Sequence, residues 1–344
     1  MRGKPEHVAT QWAVKEWADW YARGFRAYCP EHFCELPEDF FTRELVLIGL
    51  VGESGSSKTH YLTALLHLLA GGALSSYNVI VNFDPGTVMR YQNEYYRRLF
   101  VDHEVIPASR PLRWFDYQAG HREARPPMTV VMRNWQTGRA VNVCIFDAAG
   151  EQLLTRQEQA TWARHLSIAD GLLFFVDPAI LPGARRRLGG ADTGAGQTLH
   201  ITESVIEVTS GLVRMSRNLP PDADMAGVPA ALVLAKADLL ADTEGFPAPA
   251  LAPVDHLQDA PYRLANRIKQ DSYLVEEYLV ANGGANLVHS AVHKFPGITF
   301  HAVSATGCAP HNGVYDAIEP HRCLEPFLML LDRTGVIDLG RHDG

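Results

Sequence analysis

The sequence predicts an α/β fold: a mostly parallel sheet with one antiparallel edge strand, helices on both faces and several insertions. Three observations predict it. Glu44–Leu69 passes from an apolar stretch, Leu45 to Val51, through a Gly/Ser-rich turn into a helical pattern with Leu62, Leu65, Leu66 and Leu69 on one face. Near-continuous apolar runs recur at Gly171–Asp177 and Ala230–Asp238, as strands covered on both faces require. Met128–Arg133 and Ala140–Asp147 alternate and are joined by the tight link Asn134–Gly138, which turns one strand back on the other. Strands interleaved with helical patterns select this class over a sandwich or a bundle.

The bulk composition supports a chain with a sizeable core. Its 344 residues are 47% apolar and 20% charged, with a net charge of −8, so no basic excess marks a nucleic-acid surface. Five scattered cysteines make no dense disulfide framework and favour a reducing compartment. No apolar run reaches the ~20 residues of a spanning helix, and the start lacks a leader pattern. The expectation is a cytoplasmic protein without a membrane span. Residues 1–43 form an N-terminal helix and cysteine pair, and residues 44–344 form one domain with insertions near 72–127, 181–197 and 241–296.

Taken in order, His7–Ala27 carries Trp12, Trp17, Trp20 and Phe25 at helical spacing; that aromatic face packs on the domain or meets a partner. Cys29 and Cys34 flank His32. They are either ordinary thiols or half of a Zn²⁺ site, whose other half would come from Cys308, His311, His321 and Cys323.

Gly52, Glu53, Ser54, Gly55, Ser56, Ser57 and Lys58 then read GESGSSK, followed by Thr59. Strand, Gly-rich turn, Lys-Thr and helix fall in the order of a phosphate-binding loop. Backbone N–H groups cradle a polyphosphate, Lys58 reaches its terminal phosphates and Thr59 ligates Mg²⁺. Ser57 stands where the pattern has Gly, which puts a Cβ into a turn that favours none.

After this helix, Tyr77–Phe83 reads as a short strand, Thr87–Leu99 as a helix and Arg110–Pro127 as a loop. Asp147 ends the strand Ala140–Asp147 and opens DAAGE. A carboxylate there can hold Mg²⁺, and Gly150 can offer its N–H to a γ-phosphate. Glu151 or Gln152, just beyond, either orients the attacking water or is simply solvated. Leu181–Gln197 reads as an exposed loop whose Arg185, Arg186 and Arg187 are solvated or meet a partner. Ala235-Lys236-Ala237-Asp238 closes the next strand. Its Asp238 can accept from guanine N1–H and N2–H₂, with the Lys236 stem across the base; the alternative is a strand-end Lys and a helix-capping Asp. Long helical patterns cover His256–Asn282 and Leu287–Lys294. The strand Gly297–Thr306 then brings Ser304 and Ala305 toward the base, and a helix over Leu324–Asp332 closes the chain.

The ordered set GESGSSKT, DAAGE, AKAD and VSAT resembles the signature of a P-loop GTPase of the translation-factor-related (TRAFAC) class. DAAGE with its strand, RHLSIADGLLFFVDP and EPHRCLEPFLMLL resemble bacterial double-GTPase-type, Ras-like proteins, over about residues 44–335. The resemblance implies a GTP/GDP- and Mg²⁺-binding switch that hydrolyses GTP slowly in a multi-protein, defence-type system. It also implies a protein partner, or a second GTPase chain. Lys58, Glu151 and Gln152 would be catalytic, and Lys236, Asp238, Ser304 and Ala305 would read guanine. Three departures stand beside it: Ser57, Ala235 in place of a polar residue, and no Thr between Val101 and Met128, where such proteins carry a Mg²⁺-ligating Thr. Thr87 lies far upstream and Thr129 lies in a strand. These departures suit a non-hydrolysing scaffold as the alternative.

Overall fold

Val46, Ile48 and Leu50 of β1 (Glu44–Gly52) enter one apolar layer while Val51 enters a second on the opposite face. Side chains alternate across a strand, so a strand apolar at every position is stable only between two such layers. The computed structural model describes residues 23, 43–53, 55–107, 127–149, 166–190, 195–220, 225, 227–256 and 261–340. The N-terminal aromatic helix, Cys29, Cys34, Ser54, Gly150, Glu151 and Gln152 lie outside the described residues.

Seven strands form one sheet in the order β2-β3-β4-β1-β5-β6-β7. They are β1, β2 (Val79–Phe83), β3 (Met128–Asn134), β4 (Ala140–Ala149), β5 (Gly171–Val176), β6 (Ala230–Leu234) and β7 (Thr299–Ala302). β4, β1, β5, β6 and β7 pair in parallel. β3 pairs antiparallel with both β4 and β2. The reversed strand expected from the Asn134–Gly138 link is therefore β3, and the YNVIVNF stretch adds β2 outside it.

On one face, α1 (Lys58–Ala70) and α7 (Glu325–Arg333) bury Leu62, Leu65, Leu66, Phe327, Leu328 and Leu331. On the other, α4 (Ala195–Ser216) and α6 (Ala285–Lys294) bury Val205, Ile206, Val213, Leu287 and Ala291. α5 (Pro261–Leu279) contributes Leu264 and Ile268 to the first layer and Val275 and Leu279 to the second. Its Ser272 hydroxyl accepts the Phe300 N–H at 2.9 Å, docking it on β7. The long pattern expected to Asn282 breaks where Gly283 takes φ 93°, and α6 begins two residues later.

The helix expected over Thr87–Leu99 is present, and one stretch expected as a loop is partly helical. α2 (Pro85–Arg90) opens into π geometry over Tyr91–Val101 and lies on α1, with Phe100 stacked on His67 at 4.0 Å. The stretch expected as an exposed loop, 181–197, contains α3 (Pro182–Arg187), whose Ala184 is buried in the second layer. Leu181 and Pro182 start that helix, and its three arginines end it, where cations suit the helix dipole.

A buried ion cluster ties the last helix to α5. Arg322, 4% exposed, meets Asp271 Oδ2 and Glu325 Oε1, each at 2.5 Å, and donates to the Ala252 carbonyl at 3.2 Å. Truncating one partner of such a cluster leaves desolvated charge behind, so Arg322→Ala is expected to cost about 3–5 kcal/mol, read from urea unfolding.

Candidate functional site

The parallel strands all point their carboxyl ends at one edge of the sheet, and among the described residues Lys58, Thr59, Asp147, Lys236, Asp238, Ser304 and Ala305 lie there. β1 ends at Gly52, where only a glycine fits because a Cβ would lie 2.8 Å from the Phe175 carbonyl oxygen. The chain turns, with Ser56 N–H bonded to the Glu53 carbonyl at 3.2 Å, and re-enters a helix at Lys58. Ser57 makes that entry in the left-handed region, φ 65° and ψ 17°. This is the conformation for which the usual Gly is chosen, and here a side chain tolerates it at a cost.

The Lys58 ammonium, 7% exposed as a residue, folds back over the turn. It donates to the Gly52 and Glu53 carbonyls at 2.7 Å each and to Ser56 Oγ at 3.3 Å. Beside it the Thr59 hydroxyl donates to Asp147 Oδ2 at 3.0 Å, across 88 residues of sequence. Asp147 comes from β4, where it pairs in register with Leu50 of β1. One hydroxyl, one carboxylate and one ammonium thus converge at a helix N-terminus. That donor set suits a polyphosphate with a hard, oxygen-seeking cation. Glu53 turns away from it to accept the Thr202 hydroxyl of α4 at 2.8 Å.

Further along the same edge, Ser304 Oγ donates to Asp238 Oδ1 at 2.5 Å and accepts the Gly307 N–H at 2.8 Å. Ser304 is fully buried and Ala305 nearly so. The Ala235 methyl group belongs to the apolar layer under α1, where a polar side chain would have to leave water. Lys236 adopts φ 50°, and its ammonium meets Asp177 Oδ2 at 2.6 Å rather than standing clear. The Asp177 carboxylate also caps the Pro178–Ile180 turn through the Ala179 N–H at 2.8 Å. The structure thus groups Lys58, Thr59 and Asp147 at one end and Lys236, Asp238, Ser304 and Ala305 at the other. Arg185 joins Glu53, Ser56 and Asp177 around a small cavity behind the turn.

Three residues at this edge went unread in the sequence. Asp177 passed as the end of an apolar strand, although an Asp-Pro at such an end announces a cap. His60 and Tyr315 had no local signal, being 255 residues apart and joined only by the fold, Tyr315 Oη to His60 Nε2 at 3.3 Å. His60 Nε2 also accepts the Ile106 N–H at 3.2 Å. Burial, aided by Lys236, pushes the His60 pKa down to about 4.

The threonine sought for the cation is neither Thr87 nor Thr129. Both are buried, and Thr87 Oγ1 accepts the Thr129 N–H at 2.8 Å. Nor do Cys308, His311, His321 and Cys323 form a three-ligand group. Among the described residues no group of three or more His, Cys, Asp or Glu is placed to hold a metal. Cys323 donates to the Ser304 carbonyl at 3.3 Å, and burial raises its thiol pKa well above the ordinary value.

No protein-family model and no curated protein matches the chain. Solved structures match loosely. The GTPase-like domain of Ski7 from S. cerevisiae, bound to GTP, is 12% identical over 86% of this chain and 51% of its own, with a TM-score of 0.35. A bacterial selenocysteine-specific elongation factor, EF-Sec, is 12% identical over 76% of this chain and 26% of its own, at 0.27. Sup35 complexed with GDP is 14% identical over 76% and 38%, also at 0.27. The chain spans between about a quarter and a half of the structures it matches. At TM-scores this low the matches carry no inference about ligand or activity.

Two outcomes test the geometry. Ser57→Gly removes a Cβ from the left-handed region and is expected to raise stability by about 1 kcal/mol in chemical unfolding. The folded chain holds His60 neutral, with a pKa near 4 against an ordinary 6.5. Its contribution is full above pH 6.5, drains as the unfolded chain takes up the proton, and levels off below pH 4, a loss of about 3 kcal/mol. His60→Gln should flatten the fall in unfolding midpoint between pH 6.5 and 4. It will leave the slope from His301, whose pKa burial pushes down to about 3.

Proposed function

We propose that this chain is a guanine-nucleotide-binding protein of the P-loop GTPase type, acting as a slow GTP-hydrolysing switch. The observation that carries the reading is the Thr59–Asp147 hydrogen bond of 3.0 Å beside Lys58, at the mouth of a Gly/Ser-rich turn. A hydroxyl from the first turn of α1 and a carboxylate from β4, brought together at a helix N-terminus, would be the two protein ligands of a phosphate-bound Mg²⁺. In this reading Gly52, Glu53, Ser54, Gly55, Ser56, Ser57 and Lys58 wrap the phosphates. Lys58 exchanges the Gly52 and Glu53 carbonyls for phosphate oxygens. Thr59 and Asp147 would hold Mg²⁺, which would supply charge neutralisation at the phosphates.

Gly150 offers its N–H to the γ-phosphate, and Glu151 or Gln152 orients the water for in-line attack at phosphorus. Gln is the usual water-orienting residue in such switches, so Glu151 directly after Gly150 suits slow turnover. Asp238 accepts the two N–H groups of guanine, with Ser304 steadying that carboxylate and Ala305 lying against the base. Lys236 must exchange Asp177 for the base plane. A protein partner, or a second GTPase chain, would complete the catalytic arrangement.

The pairing of both lysines with the protein's own oxygens favours the scaffold as second reading, because a structural plug needs no ligand to satisfy them. Phosphate release separates the two: the switch releases phosphate from GTP in a Lys58-dependent way, and the scaffold, whether or not it holds nucleotide, does not. GTP and GDP with Mg²⁺ are expected to bind the full chain tightly, with ATP weaker by about 100-fold or more, since adenine leaves Asp238 without donors. Lys58→Ala should lose about 100-fold in affinity for all nucleotides. Asp238→Asn should weaken GTP and leave ATP unchanged. Failure of every nucleotide to bind establishes the scaffold; equal affinity for GTP and ATP removes the guanine assignment.

A further inference from the structure

His60 follows Thr59 in the first turn of α1, so its backbone belongs to the phosphate end of the site. Its side chain belongs elsewhere. Nε2 receives the Ile106 N–H at 3.2 Å and lies 3.3 Å from the Tyr315 hydroxyl. The ring meets Tyr315 edge-on, 6.1 Å between centroids and 73° between planes. A nitrogen that accepts from a backbone N–H carries no proton of its own, so His60 is the neutral Nδ1–H tautomer.

Two chain segments meet at this ring. One is the insertion Thr306–His321, which leaves and returns to Ser304: Ser304 N–H donates to His321 O at 3.1 Å and His321 N–H to Ser304 O at 2.8 Å. The other is His103–Ile106, the end of the helical insertion that precedes β3. The segments pair with each other: Val105 N–H donates to Gly313 O at 3.0 Å and Tyr315 N–H to His103 O at 2.8 Å, flanking an antiparallel bridge between Glu104 and Val314. Tyr315 is buried at 6% exposure. A continuous path therefore runs from Asp238 and Ser304, through the insertion, to Ile106 and back to the residue beside Thr59.

We infer that His60 and Tyr315 are positioning residues that clamp the Thr306–His321 insertion and His103–Ile106 into one unit, making the base end and the phosphate end of the site reinforce each other. The reinforcement rests on the guanine-nucleotide reading above; the clamp itself rests on the hydrogen bonds alone. It assigns to the protein's own side chains the anchoring that the absent threonine between Val101 and Met128 does not provide. Coupling free energies between sites ordinarily correspond to about 5–150-fold in affinity.

Amide hydrogen exchange on the full chain, paired with GDP affinity in Mg²⁺, tests both parts. In the wild type the Val105 and Ile106 amides should be protected before any nucleotide is added. His60→Ala should speed Ile106 exchange and weaken GDP, each by about tenfold. His60→Gln, which keeps an acceptor, should restore both, where a merely structural defect would lower stability and leave affinity in place. Lys58→Ala should weaken GDP by about 100-fold and leave the two amides protected. The inference is overturned if the wild-type amides become protected only with GDP, or if His60→Ala alters neither exchange nor affinity. Absence of GDP binding in every form defeats the nucleotide reading and the reinforcement with it, while wild-type exchange still decides the clamp.

Discussion

The parallel pairing of β1 with β4 is the constraint on which the site depends. Nine residues of each strand are in register, from Glu44 opposite Val141 to Gly52 opposite Ala149. That register delivers Asp147 to the sheet edge as β1 turns into α1, and so fixes the Thr59–Asp147 hydrogen bond. The pairing is held by two apolar layers rather than by the site. Ile48, Leu50, Val143 and Ile145 fill one face, and Val51 and Leu172 fill the other. A slip of one residue would put side chains where Gly49 and Gly52 leave room, 2.6 Å from Leu166 Cδ2 and 2.8 Å from the Phe175 carbonyl oxygen, so close packing resists it and the site inherits its geometry from the core.

The site so assembled is already satisfied by the protein. Lys58 spans two carbonyls, Lys236 meets Asp177, and Asp238 holds Ser304. A ligand must replace these bonds with equal or better ones. Contacts between the Lys58 ammonium and an anionic phosphate, stronger than those to neutral carbonyls, would do so at that end. Two of the non-glycine residues with left-handed backbone, Ser57 and Lys236, lie among the groups that would contact nucleotide.

Much of this was legible in the sequence, for identifiable reasons. Strands buried on both faces write themselves as apolar runs, so β1, β5 and β6 stand out. The Gly/Ser turn before Lys58 and the strand-end Asp147 are local patterns with one chemical purpose. What escaped was short or distant. α3 is six residues, with arginines filling its last turn, and shows no apolar period. The stretch YNVIVNF reads as a strand, but nothing in it says that it lies outside β3. Asp177 and Tyr315 acquire their roles through partners 59 and 255 residues away, Lys236 and His60, which no window along the chain can show.

A crystal structure of the chain with GDP and Mg²⁺ would test the central claim most directly. The account predicts GDP along the carboxyl edge of the sheet. The Lys58 ammonium would have moved from the Gly52 and Glu53 carbonyls to the β-phosphate, and Mg²⁺ would be held at Thr59, directly or through water to Asp147. Guanine would face Asp238. Nucleotide bound elsewhere, or Lys58 and the Thr59–Asp147 bond unchanged beside it, would contradict the account.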